Sequence, residues 1–388
     1  MYNHNSTKYY LFLIGYNLNK DRYKGNIMAK QITKIVITGG PCAGKTTGMS
    51  WIQNAFSKRG YKVLFVNEAA TELINSGVQP WSFSLNDFQS SVLQMQLSKE
   101  KIYEDVAKDS EFEKVLIVCD RGALDGKAFM NQEDYYRIIK KVNRTEIELR
   151  DSYDAVFHLV TAAKGAESFY TLENNTARTE TIEQARIADD KLIEAWNGHP
   201  HFKIINNDFD FNNKMKSLID EISKVLGEPK SFDSKRRFLI EYPDIEALKQ
   251  MDNVKEVEIF QTYLKCTENE KIQIRKRGLN NDYIYYQIKT CIKNNQLIQN
   301  EKIISESQYE ELLSYSDPSR KQLHRTCFYL IENNQYFQID IYPFINNKAI
   351  LKVETSNLNE EIIIPSFVKV IEDVTNNSNY LNSELSKH

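Results

Sequence analysis

Cysteine is scarce in this sequence, and no two cysteines lie close together. The chain of 388 residues has five, which are Cys42, Cys119, Cys266, Cys291 and Cys327. Disulfide frameworks and zinc sites use cysteines at short, regular spacings, so the pattern argues against both and favours a reducing compartment. Net charge is also small, at −3. Any basic site must therefore be local, and we expect no nucleic-acid partner.

Long hydrophobic runs are missing as well. Residues 9–16 (YYLFLIGY) form an apolar run of eight, whereas a membrane-spanning helix needs about 20 residues. The run has the character of a weak signal-peptide core, but no small-residue cleavage site clearly follows it. We expect residues 1–30 to be a disordered N-terminal extension. We expect the protein to be cytoplasmic, with peripheral association at membranes left open.

The strongest chemical signal is a glycine-rich loop. The stretch GGPCAGKT at 39–46 matches G-x-x-x-x-G-K-[ST], after a predicted strand over 34–38 and before a predicted helix over 47–58. Glycines let backbone N–H groups converge on phosphate oxygens, and the helix N-terminus adds partial positive charge. A chance glycine-rich turn is the weaker alternative, because strand and helix stand where the motif needs them. The predicted nucleotide-binding residues are Gly39, Gly40, Pro41, Cys42, Ala43, Gly44, Lys45, Thr46 and Thr47.

Magnesium is the predicted cofactor of this loop. Lys45 is expected to reach the β- and γ-phosphates, and the Thr46 hydroxyl to bind Mg²⁺. Asp120 ends an apolar strand, which is where a P-loop protein places its second Mg²⁺-binding acid. Its alternative role is to cap the next helix.

The first 227 residues alternate between strands and helices. The predicted strands are 34–38, 61–66, 115–119, 154–160 and 202–205, and the longer predicted helices are 84–108 and 212–226. This order predicts an α/β P-loop NTPase fold, a parallel sheet with helices on both faces. Ligands bind at the carboxyl ends of such strands, where Glu68 and Asp120 lie.

Four residues are predicted to be catalytic: Glu68, Arg121, Arg178 and Arg186. Glu68 could be a base, a substrate-binding acid or a charge at a helix N-terminus. Arg121 fits a phosphate contact or a structural salt bridge equally well. Arg178 and Arg186 lie in a polar stretch, where a closing flap would neutralise transition-state charge. A solvated helix explains them equally well.

A turn-rich segment divides the chain, whose length suits two domains. We predict a P-loop domain at 31–227, a linker at 228–232 and a second domain at 233–388. There the hydrophobic period changes to two, and eight strands are predicted in about 150 residues, which favours an antiparallel barrel or sandwich. These strands are 236–241, 257–265, 271–277, 283–290, 296–304, 323–332, 336–342 and 349–354. Short helices are predicted at 245–250, 307–313 and 366–374.

The alternation places charged residues on shared strand faces. Arg275 and Arg277 share one face, for example, and Gln338 and Asp340 another. Inside a closed barrel they would form a cationic tunnel that binds a phospholipid headgroup or a polyphosphate. Solvent-exposed faces of a sandwich are the alternative. The predicted ligand-binding residues are Arg237, Arg275, Arg277, Lys289, Arg325, Asp340 and Glu354.

Two family resemblances cover nearly all of the chain. GGPCAGKTT, VNEAATELI, VCDRGALDG, ARTETIEQAR and WNGHPH resemble the nucleotide-kinase-like P-loop domain of NadR-type enzymes. RRFLI, QIRKRG, YYQIKT, SESQYEELL, FQIDIY, LKVET and EDVTNNSNYLN resemble the CYTH domain, an α+β antiparallel eight-stranded tunnel barrel. The combination resembles the TRPL translocation defect protein family. That resemblance implies binding of GTP and phospholipid, and a role in membrane-protein trafficking.

The sequence departs from the CYTH pattern at two acids. The E-x-E-x-K signature is matched by Asp233, Lys235 and Arg237, and Lys352 stands where another acid is expected. Loss of two carboxylates weakens a divalent-metal site, which argues against triphosphate hydrolysis.

Three functions follow from these patterns. The favoured one is a regulator that binds GTP or ATP and a phospholipid or phosphate, with a membrane surface and a trafficked membrane protein as partners. The alternative is a P-loop kinase for a small nucleoside-like substrate, and a tunnel triphosphatase is the third. The sequence lacks an N-K-x-D element, so guanine would not be read as in Ras-type GTPases.

Overall fold

The structure is a computed structural model that describes residues 30–82, 84–167, 181–207, 210–227, 235–266, 270–293, 296–354 and 361–387. Residues 1–29 of the predicted extension, the linker at 228–232, Arg178 and Asp233 lie outside the described residues. Two sheets, one parallel and one antiparallel, organise the described chain.

The first sheet has five parallel strands in the order β2-β3-β1-β4-β5. The strands are β1 (Gln31–Gly39), β2 (Lys62–Val66), β3 (Lys114–Asp120), β4 (Ala155–Leu159) and β5 (Phe202–Ile205). The central strand β1 and its neighbours β3 and β4 are buried along most of their length, as a parallel sheet covered on both faces requires. The predicted α/β fold is confirmed.

Several helices begin at a residue whose side chain caps them. Ser84 accepts a hydrogen bond from the backbone N–H of Asp87, and Thr181 forms a capping box with Gln184. The helices are α1 (Lys45–Ser57), α2 (Ala69–Asn75), α3 (Leu85–Asp109), α4 (Gln132–Lys141), α5 (Glu146–Arg150), α6 (Ile182–Ala195) and α7 (Phe211–Val225). Short 3₁₀ turns lie at Pro80–Ser82 and Asp125–Phe129.

These helices cover both faces of the parallel sheet. On one face, α1 and α7 pack through a cluster that includes Phe56 and Leu218. On the other face, a second cluster includes Leu93 of α3, Ile138 of α4 and Ile193 of α6. The carboxyl ends of the strands are left free of these cores, which is where the P-loop lies.

The second sheet has nine antiparallel strands in the order β10-β9-β8-β7-β11-β12-β13-β6-β14. They are β6 (Lys235–Glu241), β7 (Val254–Leu264), β8 (Glu270–Leu279), β9 (Asp282–Lys293), β10 (Gln296–Ile304), β11 (Leu323–Glu332), β12 (Gln335–Ile341), β13 (Lys348–Glu354) and β14 (Val370–Asp373). Its helices are α8 (Ile245–Gln250), α9 (Glu306–Leu313) and α10 (Asn382–Leu385), with a 3₁₀ turn at Ser378–Tyr380. All eight predicted strands are present.

Two predictions about this sheet are wrong. The sheet is not a closed eight-stranded barrel, because in the described chain β10 pairs with β9 alone and β14 with β6 alone. The predicted helix at 366–374 is replaced in part by β14, which pairs antiparallel with β6 from Val370 to Asp373. The conformation of this segment is set by pairing with a strand more than 120 residues away, which the local sequence does not indicate. Within the described residues, no helix is long and apolar enough to cross a membrane.

The two faces of the antiparallel sheet differ in polarity. One face carries an apolar cluster that packs against Leu248 of α8. The other, which we call the polar face, carries Arg275, Arg277 and Arg325. Strand register places Arg277 beside Ile259, and Ile259 beside Arg325, so these cations share a face as predicted.

Lys289 does not share that face, which corrects the prediction that it joins the arginines. In β9, Tyr286 pairs with Arg275, whereas Lys289 pairs with Ile272. Successive side chains alternate between faces. Lys289 lies three positions after Tyr286, an odd step, so the two side chains lie on opposite faces. Lys289 is exposed on the opposite side of the sheet.

The two sheets meet at a buried ionic contact. The Arg277 guanidinium is fully buried and binds the Asp151 carboxylate and the Gly198 carbonyl oxygen. Arg150 donates to the other oxygen of Asp151 at 2.6 Å. Tyr336 adds a hydroxyl that accepts from Gly198 N–H at 2.9 Å and donates to a carbonyl in the same loop. The loop after α6 is therefore part of the contact.

Candidate functional site

The P-loop connects the end of β1 to the start of α1. Gly39 has φ 149° and Gly44 has φ 91°, values that glycine adopts without strain. A Cβ on Gly44 would also lie 2.8 Å from the Phe211 ring. Cys42 has φ 56°, which is uncommon for a residue other than glycine. The turn thus depends on glycine at both of its ends.

Lys45 lies at the start of α1 among charged groups. Its ammonium is 3.5 Å from the Gly39 carbonyl oxygen. Burial lowers the pKa of Lys45 to about 8, and Arg121 adds to this effect while the carboxylates of Asp120 and Glu68 oppose it. At pH 7 the side chain is still mostly charged, and phosphate oxygens would stabilise that charge further.

Glu68 and Arg121 form an ion pair at the carboxyl ends of β2 and β3. Arg121 Nε lies 2.7 Å from Glu68 Oε1, and Arg121 Nη1 lies 3.4 Å from Asp125 Oδ1. Burial alone would raise the pKa of Glu68, but the charges of Arg121 and Lys45 hold it below its ordinary value. Glu68 is therefore a carboxylate at neutral pH, able to accept a proton or a hydrogen bond.

The backbone around Arg121 is held in an uncommon conformation. Arg121 has φ 69°. The Gln96 amide donates to its carbonyl oxygen at 3.2 Å, and Asp125 accepts from the next N–H, that of Gly122, at 2.6 Å. Packing also fixes the turn, since a Cβ on Gly122 would lie 2.8 Å from the Trp196 ring. Such local strain is common at functional sites.

Asp120 ends β3 and suits the predicted magnesium role. One of its carboxylate oxygens is buried and has no hydrogen-bond partner within the described chain. Burial raises the pKa of Asp120 above its ordinary value despite the nearby Lys45 ammonium. A cation would satisfy both features. No group of three or more His, Cys, Asp or Glu in the described residues could hold a metal, so Asp120 and Thr46 would share Mg²⁺ with phosphate oxygens.

A cavity of about 180 Å³ opens beside this ion pair. Glu68, Arg121 and Asp125 lie at its polar wall, and Phe129, Met130 and Ile138 are among its apolar residues. One face of α3 completes the lining with Gln89, Val92, Leu93 and Gln96. Sequence reasoning missed these four, although their spacing of i, i+3, i+4 and i+7 marks one helix face.

Two further polar groups line the cavity. Gln89 is half-buried in its wall. The Tyr135 hydroxyl is buried and has no hydrogen-bond partner in the described part of the chain. Because buried polar groups are normally hydrogen-bonded, the Tyr135 hydroxyl is available to a ligand.

Arg186, one of the two predicted flap arginines, does not line this cavity. Arg186 lies on α6, where it donates to the Ala163 carbonyl oxygen at 2.7 Å and pairs with Glu167 at 2.9 Å. Arg178 lies outside the described residues. Thr46 and Thr47 are exposed in the first turn of α1.

On the polar face, the predicted ligand-binding arginines contact carboxylates. Arg275 lies 3.3 Å from Glu301, and Arg325 lies 3.5 Å from Asp340. Asp340 also binds Lys352. Burial acts to raise the pKa of Asp340, but the Lys352 and Arg325 charges hold it well below its usual range.

Two other predicted residues of this group belong to β6 and β13. Arg237 pairs in register with Lys352 and shares its face. Glu354 ends β13, and its side chain lies outside the described residues. Arg277 is committed to Asp151, so the structure does not bring it to Arg275 as a second anion ligand.

A comparison with protein families finds a match in the part of the chain that forms the parallel sheet. A family model described as an AAA domain matches residues 34–214. No curated protein matches the chain. The prediction of a P-loop nucleotide-binding domain is confirmed. The finer resemblance to the TRPL translocation defect family stays a prediction.

Two solved structures show distant similarity to the chain. A deoxyadenosine kinase from M. mycoides with bound dATP is 21% identical over 49% of this chain and 99% of that one, with a TM-score of 0.35. The inorganic triphosphatase NE1496 is 20% identical over 40% of this chain and 95% of that one, with a TM-score of 0.30. Similarity at these levels carries no functional conclusion.

Proposed function

We propose that this protein is a kinase that transfers a phosphoryl group from a P-loop-bound nucleoside triphosphate to a hydroxyl of a small acceptor. The observation that carries the proposal is the cavity beside Glu68 and Arg121. It adjoins the charged group around Lys45, so an acceptor there would lie next to the triphosphate. A protein that only binds nucleotide needs no cavity for an acceptor beside its phosphate-binding loop.

The cavity indicates the kind of acceptor. Its volume of about 180 Å³ is below the roughly 300–1,000 Å³ of typical ligand pockets, so the acceptor is small. Apolar walls favour a flat or hydrophobic body, and the Gln89 amide offers a donor and an acceptor side by side. A nucleoside-like molecule has both a heterocycle with such an edge and a free hydroxyl.

Each charged residue then has a distinct role. The acceptor hydroxyl oxygen attacks the γ-phosphorus, its proton passes to Glu68, and the bond to the bridging oxygen breaks to release a nucleoside diphosphate. Lys45 and Arg121 stabilise the charge on the transferring group. Asp120 and Thr46 would hold Mg²⁺, which supplies further charge neutralisation when bound. Roles for Arg178 and Arg186 in closing the site stay predictions.

Turnover assays test the proposal directly. Purified full-length protein is incubated with Mg²⁺, labelled ATP or GTP, and a panel of nucleosides that includes nicotinamide riboside, and phosphorylated products are separated. We expect one acceptor class to be phosphorylated. Glu68→Gln should slow turnover at least 100-fold because it removes the proton acceptor, while nucleotide affinity changes little.

Glu72→Gln is the matched control, since Glu72 lies one helical turn away and pairs with Lys99. Equal turnover in the Glu68 and Glu72 variants would remove Glu68 from the mechanism. Nucleotide binding with no phosphorylated acceptor across the panel would instead favour a regulatory nucleotide-binding protein.

A phosphate-rich ligand for the polar face is a second candidate. It is supported by the buried Nε of Arg275, which has no hydrogen-bond partner among the described residues. A phospholipid headgroup and a free polyphosphate share the chemistry that this group would recognise. Membrane trafficking and triphosphatase activity stay alternatives without a supporting observation of this kind.

A further inference from the structure

We propose that Asp189, Thr161 and Lys214 are positioning residues that fix the orientation of P-loop peptide groups for binding of the nucleotide phosphates. The inference rests on the proposed nucleotide site. All three side chains lie outside the phosphate-binding loop: Thr161 follows β4, Asp189 is on α6 and Lys214 is on α7. None of them belongs to the glycine-rich motif.

Asp189 holds the first peptide of the loop. Its Oδ1 accepts from the Gly40 N–H at 3.0 Å and from the Thr161 N–H at 3.1 Å. His158 contacts the same oxygen at 3.0 Å, and Lys164 contacts the other oxygen at 3.0 Å. The carboxylate packs so closely that a Cβ on Gly40 would lie 2.8 Å from it. Only glycine fits beside this acid.

This contact has a geometric consequence for Lys45. In a trans peptide, the C=O of one residue and the N–H of the next point in opposite directions. Because Asp189 takes the Gly40 N–H, the Gly39 carbonyl of the same peptide points the other way. That carbonyl oxygen is the atom 3.5 Å from the Lys45 ammonium. Asp189 thereby orients the group that keeps Lys45 over the loop.

Thr161 and Lys214 hold two further peptides. The Thr161 hydroxyl donates to the Pro41 carbonyl oxygen. The Lys214 ammonium donates to the Ala43 carbonyl oxygen at 3.1 Å. By the same trans geometry, the N–H groups of Cys42 and Gly44 then point away from these side chains. Inward N–H groups are what a phosphate-binding loop needs.

The charge of Lys214 is costly to bury at this position. It is almost fully buried, and its other hydrogen-bond partners are the Val160 carbonyl at 2.6 Å and the Asn207 amide oxygen at 2.7 Å. All three acceptors are neutral, so no carboxylate in hydrogen-bond contact offsets the burial of its charge. Burial lowers the pKa of Lys214 to about 8. A cation kept here at neutral pH adds to the attraction for phosphate.

The experiment measures ADP affinity of the full chain by calorimetry at pH 7, together with the thermal unfolding midpoint. Thr161→Val keeps the shape and removes the donor, and Thr161→Ser keeps the donor. We expect Thr161→Val to weaken ADP binding about tenfold and Thr161→Ser to bind like the wild type. Lys214→Met should weaken ADP binding more than tenfold. Lys216→Met is its control, since Lys216 is exposed on the same helix.

The outcomes separate this inference from the proposed function. If the wild-type protein binds no ADP, the nucleotide site itself is wrong. If it binds ADP and both Thr161 variants bind it equally well, the positioning role is overturned and the nucleotide site stands. A Thr161→Ser variant as weak as Thr161→Val would mean that packing, and not the hydroxyl, sets the affinity. If Lys214→Met fails to fold, the Thr161 pair decides.

Discussion

Arginine–carboxylate pairs occur in both sheets, but they do different things. Arg121 and Glu68 meet at the free ends of parallel strands, beside a cavity that leaves both groups open to a ligand. Arg277 and Asp151 meet on the face of the antiparallel sheet and are completely covered. The position in the sheet, and not the residue type, decides whether a charged pair is available for chemistry.

The same contrast explains which sequence predictions succeed. The P-loop is specified by backbone conformation, so neighbouring glycines and a strand and helix on either side suffice to predict it. The arginines on strand faces are specified by partners far along the chain. The strand alternation correctly predicts that Arg277 shares a face with Arg275. Its partner Asp151 is 126 residues away, and the sequence around Arg277 does not indicate this pairing.

The failures have equally particular causes. Lys289 was assigned to the wrong face because strand register in a hairpin is set by pairing, and a shift of one residue reverses the face. The segment at β14 contains only four residues, too few for its alternation to outweigh a helical interpretation. The cavity was not predicted because residues of α3 line it together with residues that follow β2 and β3, and the helical period of α3 alone does not show which face meets them.

The largest expected effect comes from breaking the covered pair. Asp151→Asn leaves the Arg277 charge buried without a carboxylate, so we expect a loss of about 3–5 kcal/mol in unfolding free energy. Glu133→Gln removes an exposed pair with Arg137, and its loss should stay below about 1 kcal/mol. Urea denaturation of both variants makes the comparison. Similar losses of unfolding free energy in the two variants would mean that burial does not increase the contribution of the Asp151 pair to stability.

Low pH should destabilise the folded protein through the same contact between Asp151 and Arg277. Burial would raise the pKa of Asp151, but Arg150 and Arg277 hold it well below its usual range. A depressed carboxyl pKa stabilises the folded state above the ordinary value of about 4, and this stabilisation is lost as pH falls below it. The wild type should therefore lose stability more steeply than Asp151→Asn between about pH 5 and pH 2.

The next largest effect concerns nucleotide binding at the P-loop. Lys45→Ala should weaken Mg-nucleotide binding by about 100-fold, because a cation that contacts phosphate is lost while β1 is untouched. The unfolding midpoint should change little. Lys58→Ala, at the exposed end of α1, is the control. Calorimetry with ATP and GTP measures both variants, and an unchanged affinity in Lys45→Ala would contradict the site.

A smaller effect tests the metal role of Asp120. Asp120→Asn should weaken nucleotide binding about tenfold with Mg²⁺ present and much less with a chelator, because one oxygen ligand is replaced by a weaker one. The two conditions are compared on the same protein sample. Equal losses with and without metal would make Asp120 a structural residue.

An effect of similar size concerns the polar face. Arg275→Ala should weaken binding of tripolyphosphate at least tenfold, because tenfold corresponds to about 1.4 kcal/mol and one charge-assisted contact contributes roughly 1.5–3 kcal/mol. Vesicles containing a phosphoinositide are tested in parallel to separate a lipid from a free phosphate. Lys289→Ala, on the opposite face, is the control. Retained binding of both probes in Arg275→Ala would place any anion site elsewhere.

The loop that follows α6 limits how the molecule can be divided. It joins the P-loop side to the antiparallel sheet through Gly198, and Phe202 lies beside it with its ring 5.4 Å from that of Tyr336. A cut in the linker at 228–232 would leave each fragment with half of this contact exposed. Two such fragments, produced separately, should find each other in solution and rebuild the contact without a covalent connection. The chain is thus a natural candidate for a split-protein pair whose reassembly reports on its own interface.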